Sequence, residues 1–134
     1  MLASMHAAAI LLYGPMGAYA LLTVVAGALA IGRRGLPGWF WTLNLLALAL
    51  VGVQAAAGIL RVLGGARPER PLHVLYGVLV LLVGLAQYSL HPGGLLRRVF
   101  AREVTRGEAR TLALVALTQT ALIGRAWMTG LGGK

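Results

Sequence analysis

Two histidines and one arginine in an otherwise apolar chain carry the chemistry that this sequence offers. His6 and His73 each open a long uncharged stretch, and Arg125 interrupts the last one. Two imidazoles at one membrane level are the donor pair that a b-type haem iron takes as axial ligands. None of the 134 residues is a cysteine. Disulfides, thiolate metal sites, iron–sulfur clusters and covalently attached haem are therefore excluded, and a cofactor must be held by His, Met, Tyr or backbone. A guanidinium inside a bilayer costs about 2.5–3.5 kcal/mol at mid-depth, and less near the interface, unless an anion or water receives it. No Asp, Glu or Lys lies within the apolar stretches, whereas porphyrin propionates would accept Arg125 in bidentate fashion. Arg61 is a second candidate for that task, although snorkelling to lipid headgroups suits it as well.

The elements that must position these groups follow from where charge is missing. Residues 1–32, 35–60, 71–96 and 111–124 carry no Asp, Glu, Lys or Arg, and 59% of the chain is hydrophobic with a mean hydropathy of +0.82. A helical crossing takes about 20 such residues, so the pattern predicts an all-α integral membrane protein. We read spans over residues 4–31, 39–63, 72–90 and 109–128, making 1–134 a single up-down four-helix bundle. Glycines and prolines break the first two connections (Gly32, Gly35, Pro37, Gly38; Gly64, Gly65, Pro68, Pro71), and short connections make consecutive helices antiparallel neighbours. The first and third spans then run parallel and face each other across the bundle. His6 precedes Arg33 by 27 residues and His73 precedes Arg97 by 24, a depth mismatch of about 4.5 Å at 1.5 Å per residue.

A flat macrocycle also needs small side chains at helical spacing from its ligand. His73 is followed by Gly77 and then Gly84, and the second span carries Gln54 and, one turn on, Gly58. Ordinary small-residue packing between membrane helices accounts for the same glycines, and each histidine alone suits a helix start at the interface. His91 is eighteen residues, about 27 Å, from His73 along the axis, and Pro92 follows it directly. It reads as a helix-terminating residue, and Tyr13, Tyr76 and Met16 read as packing groups. After Pro92, Leu95, Leu96, Val99 and Phe100 alternate with Arg97, Arg98 and Arg102, the pattern of a helix lying on the membrane surface.

Twelve bases against three acids give a net charge of +9. Because these bases sit at span ends, where they anchor to lipid and set orientation, nucleic acid is rejected as a partner. Arg33, Arg34, Arg97, Arg98, Arg102, Arg106 and Arg110 fall on one side, and Arg61, Arg67, Arg70, Arg125 and Lys134 on the other. That bias favours both termini outside, in a prokaryotic inner membrane. The missing intramembrane carboxylates argue against a proton-coupled antiporter. The first stretch has no preceding base and is longer than a secretory apolar region, so it reads as a retained helix.

The His6 span, the run Val53-Gln54-Ala55-Ala56-Ala57-Gly58 and the run Leu72-His73-Val74-Leu75-Tyr76-Gly77 together resemble one four-helix half of the heme A synthase family. His and Gly in hydrophobic bundles also recur in b561-like membrane cytochromes. The resemblance implies a non-covalent haem b on the outer side, ligated by His6 and His73. From this follows the expectation of a haem-binding protein for electron transfer or for haem handling linked to respiratory oxidase maturation. Its site residues are His6, His73, Arg125, Arg61, Gln54, Gly58 and Gly77. Expected partners are membrane lipids and respiratory-chain or oxidase-assembly proteins, or a second copy of the chain. The alternative is a cofactor-free structural or assembly subunit of a larger membrane complex.

Overall fold

The computed structural model describes residues 9–67 and 70–131. They form five helices: α1 (Ala9–Ile31), α2 (Gly38–Leu63), α3 (Pro71–Tyr88), α4 (Leu95–Val99) and α5 (Ala101–Leu131). The four long ones are apolar and long enough to cross a bilayer, by length and composition. α1 packs on α2 and α5, and α3 packs on the same two helices. The bundle is thus a closed ring of antiparallel neighbours in which α1 and α3 stand diagonally opposed, as the short connections predict.

Local chemistry sets the ends. α2 starts after Pro37, whose backbone is extended, and ends at Gly64. α3 opens with Pro71, at a position where the missing N–H would have had no helical partner anyway. Pro15 lies buried within α1; membrane helices accommodate such a residue because neighbouring helices re-satisfy the backbone it disturbs. A short helix, α4, follows Pro92, with Leu95 and Val99 exposed and Leu96 turned to the core. α5 departs most from the sequence reading. It begins eight residues before the expected start at 109, running through the charged segment 101–106 to a break at Gly107 (φ −156°, ψ 48°). Hydropathy marks only the part of a helix that lipid covers, whereas Ala, Arg and Glu favour helix equally well outside it.

The bundle is apolar on both sides. Large aliphatic side chains such as Ile10, Val24, Leu46, Leu82 and Leu114 point outward, which suits a lipid surround and not water. Its interior nonetheless holds polar groups: Tyr19, Asn44, Gln87 and Gln119 are fully buried. Near mid-bundle the four long helices meet at Gly84. A Cβ there would lie 3.1 Å from each of Tyr19 Oη (α1), Leu48 Cδ1 (α2) and Gln119 Nε2 (α5). Gln119 Nε2 also donates to the Val80 carbonyl at 2.7 Å, tying α5 to α3 at this level. Gly84 is therefore a packing glycine.

Candidate functional site

α3 enters the bundle at Pro71, so His73 sits in its first turn, half-buried against the far end of α5. Its Nδ1 lies 3.0 Å from the Ala126 carbonyl. A carbonyl can only accept, so Nδ1 carries the proton and the lone pair of the neutral ring is on Nε2. This backbone-held arrangement is the one by which ligating histidines are oriented. The ring lies close over Gly130, where a Cβ would stand 3.0 Å from Cε1 and 3.1 Å from Nδ1. No larger residue fits at position 130 without moving the imidazole. Gly77, one turn further along α3, is different from Gly84: a Cβ there meets no atom of the described residues within 4 Å. Among the described residues, helix packing does not require that glycine, and they leave open space beside α3 one turn from His73.

Arg125 projects from α5 on the exposed side of the α3–α5 seam, with its guanidinium carbon 6.0 Å from the centroid of the Tyr76 ring. Cation–π contact of this kind is worth about 0.5–1 kcal/mol at an exposed site. The same end carries Tyr13 of α1 against Trp127 of α5, ring centroids 5.8 Å apart. Tyr13 and Tyr76 are thus packing groups, and with Trp127 they place aromatic rings at one end of the helices, as at a membrane interface. Arg61 lies in the last turn of α2 at this end, with Gln54 and Gly58 on the same helix; all three are half-buried. Arg61 and Arg125 make no ion pair among the described residues.

His6, the expected second ligand, lies outside the described residues, as do residues 4–8 of the first span and Lys134. No group of three or more His, Asp or Glu side chains with metal-site spacing occurs among the described residues. His91 is at the other end of the bundle, in the turn after α3. Its Nδ1 is 2.7 Å from the Tyr88 carbonyl and its ring stacks on Tyr88 at 4.7 Å, with Trp41 edge-on at 6.4 Å. It terminates the helix, far from His73.

Two cavities occur at that same far end. One, of about 220 Å³, lies beneath α4 between α3 and α5 and is lined by Gln87, Leu90, Leu96, Phe100 and Val104 among others. The second, of about 480 Å³, is bounded by the α1–α2 turn and the start of α5. Neither touches His73, Tyr76 or Arg125. Sequence reading did not single out Gly130, the Ala126 carbonyl or the Tyr76 contact of Arg125. Gly130 stood four residues beyond Ala126 in a glycine-rich tail, and only knowledge of the α3–α5 register would have paired it with His73. Compared with family models, curated proteins and solved structures, the chain matches none; what its geometry supports is the shape of a four-helix membrane protein, with no family identified.

Proposed function

We propose that the chain binds a b-type haem non-covalently, with His6 and His73 as axial ligands, and serves electron transfer or haem handling linked to respiratory oxidase maturation. The observation that carries this reading is the held imidazole of His73, whose Nδ1 donates to Ala126. Two further features fit a flat iron-porphyrin at this end: the open space that the described residues leave beside Gly77, and Arg61 and Arg125, which make no ion pair among the described residues. Arg125 and Arg61 would receive the propionates, and Gln54, Gly58 and Gly77 would lie beside the ring. Bound haem supplies a one-electron iron couple whose potential is set by its ligands, its burial and nearby cations. Were His6 and His73 both to hold the iron, relay of an electron would be a simpler task for this site than oxygen chemistry. Respiratory-chain or oxidase-assembly proteins, or a second copy, are the partners this role calls for, in a prokaryotic inner membrane with both termini outside.

A second reading is favoured by the same hydrogen bond. His73 to Ala126 ties α3 to α5, and Arg125 over Tyr76 does so again. Both contacts would serve a cofactor-free structural or assembly subunit. An absorption spectrum of detergent-purified protein, with and without dithionite, separates the two. The haem reading requires a reduced-minus-oxidised b-type signal from a low-spin, six-coordinate iron. Colourless protein that also refuses added hemin overturns it and leaves the structural subunit.

Arg125 gives a finer test within the haem reading. Taking a cation away from the porphyrin favours the oxidised, more positive iron, so Arg125→Leu should lower the midpoint potential. Haem retention should weaken by about two- to fivefold, the range that 0.5–1 kcal/mol of an exposed ion pair provides. Arg125→Lys keeps the charge but loses the bidentate fork, and its effect should be smaller. Redox titration and hemin-binding titrations measure both. An unchanged potential together with unchanged retention would make Arg125 a lipid anchor that rests on Tyr76.

A further inference from the structure

At the opposite end from His73, four arginines that the haem reading leaves unused surround the larger cavity. Arg33 and Arg34 form one wall, in the turn after α1, and Arg106 and Arg110 form the other, at the start of α5. Among the described residues Glu108 is the only acid that lines it, and it is already engaged: Arg97 donates to its carboxylate from Nη1 at 2.9 Å and from Nη2 at 3.3 Å. None of the four lining arginines makes an ion pair among the described residues. Like charges gathered around one concavity repel, and the repulsion is relieved by an anion between them.

The backbone supplies an independent observation. α1 and α2 end in the same hydrogen-bonded turn, Arg34 N–H donating to the Leu29 carbonyl in one and Ala66 N–H to the Arg61 carbonyl in the other. In α2 the left-handed residue of that turn is Gly65, at φ 94°, the ordinary occupant of such a position. In α1 the equivalent residue is Arg33, at φ 51°. A side chain with a Cβ is strained there, and non-glycine residues held in this region cluster at ligand sites. On the other wall the helix breaks at Gly107, between Arg106 and Arg110. The orientation rule for basic residues explains why arginines occupy this end. It does not explain four of them around one cavity, while Arg98 and Arg102 at the same end stay outside it.

The geometry points to a binding site for the phosphate of an anionic membrane lipid, gripped from both walls by guanidinium groups. Phosphate offers several acceptor oxygens, which suits convergent, charge-assisted donors, and basic pockets between membrane helices are suited to lipid headgroups. Membrane lipid is favoured over a soluble phosphate by what adjoins the cavity. Ile31, 87% exposed, and Val24, 67% exposed, continue from it along the outer face of α1, where acyl chains would lie.

Native mass spectrometry of the full-length protein from detergent, incubated with phosphatidylglycerol, phosphatidylcholine or inorganic phosphate, tests this site. Phosphatidylglycerol should be retained and phosphatidylcholine should not. Arg33→Gly combined with Arg106→Gln should lower retention by about tenfold or more, and Arg34→Gln with Arg110→Gln should act in the same direction. Arg33→Gly relieves the left-handed strain, so an unchanged or raised melting temperature separates lost binding from lost folding. Arg98→Gln with Arg102→Gln removes the same charge outside the cavity and should leave retention nearly unchanged. Equal loss in the inner and outer double variants would reduce the effect to diffuse surface charge and overturn the proposal, as would equal retention of phosphatidylcholine. Binding of inorganic phosphate without retention of phosphatidylglycerol would assign the site to a soluble anion and overturn the lipid. Haem absorption is independent of all these outcomes.

Discussion

Replacing His73 by alanine should lower bound haem in the purified protein by more than about tenfold, since even outer partners of a metal ligand are worth 10–100-fold in affinity. The substitution also cuts the hydrogen bond to the Ala126 carbonyl, so a lost spectrum alone would not separate ligation from folding. His73→Asn does separate them. The asparagine amide nitrogen stands close to where Nδ1 stood and can still donate to Ala126, but nothing remains in the place of Nε2. On the haem reading the Asn variant keeps its melting temperature and loses its spectrum as completely as the Ala variant. On the structural-subunit reading neither protein has a spectrum to lose, and only alanine costs stability, by about 0.5–1.5 kcal/mol for one hydrogen bond. His91→Ala serves as the control, because His91 is bonded to Tyr88 at the far end of α3. A full b-type spectrum in His73→Asn would remove His73 from the iron.

The bundle itself was open to reading because a bilayer imposes one length scale on every span. Each long charge-free stretch had to become a helix, and short connections fixed antiparallel neighbours, which put α1 and α3 on a diagonal. The same reasoning placed His73 at the start of α3 and at the same end of the bundle as Arg125, and both are there. What hydropathy could not supply was anything that depends on rotation of one helix against another. Gly77 and Gly84 are seven residues apart on α3 and look alike in the sequence, yet among the described residues one faces open space and the other is crowded by side chains from all three of the other long helices. The partner of His73 is a backbone carbonyl, which every residue has and no pattern marks. The buried Asn44 and Tyr19 were passed over for the opposite reason: each is a single polar residue in an apolar run, and burial decides its meaning. The charged first turns of α5 lie outside the span that hydropathy predicts, because charge marks the end of the lipid-covered part and not the end of the helix.

Gly84→Leu should destabilise the bundle strongly. A Cβ at this position already falls 3.1 Å from three side chains, one from each of the other long helices. Two of the three have little freedom to yield. Gln119 Nε2 is held by its 2.7 Å hydrogen bond to Val80, and Tyr19, fully buried, can withdraw its hydroxyl only by moving a whole ring. Leu48 can change rotamer. Alanine therefore asks for a shift of a few tenths of an ångström and should cost about 1 kcal/mol, whereas leucine overfills the site and should cost about 3 kcal/mol or prevent assembly. Thermal unfolding in detergent, followed by circular dichroism, reads both. Tyr19→Phe removes one of the crowding atoms, so Gly84→Ala should be milder in that background than in the native one. That non-additivity is expected for residues in direct contact. Additive effects, or a Gly84→Leu protein that melts like the native one, would mean that the four helices do not meet at Gly84.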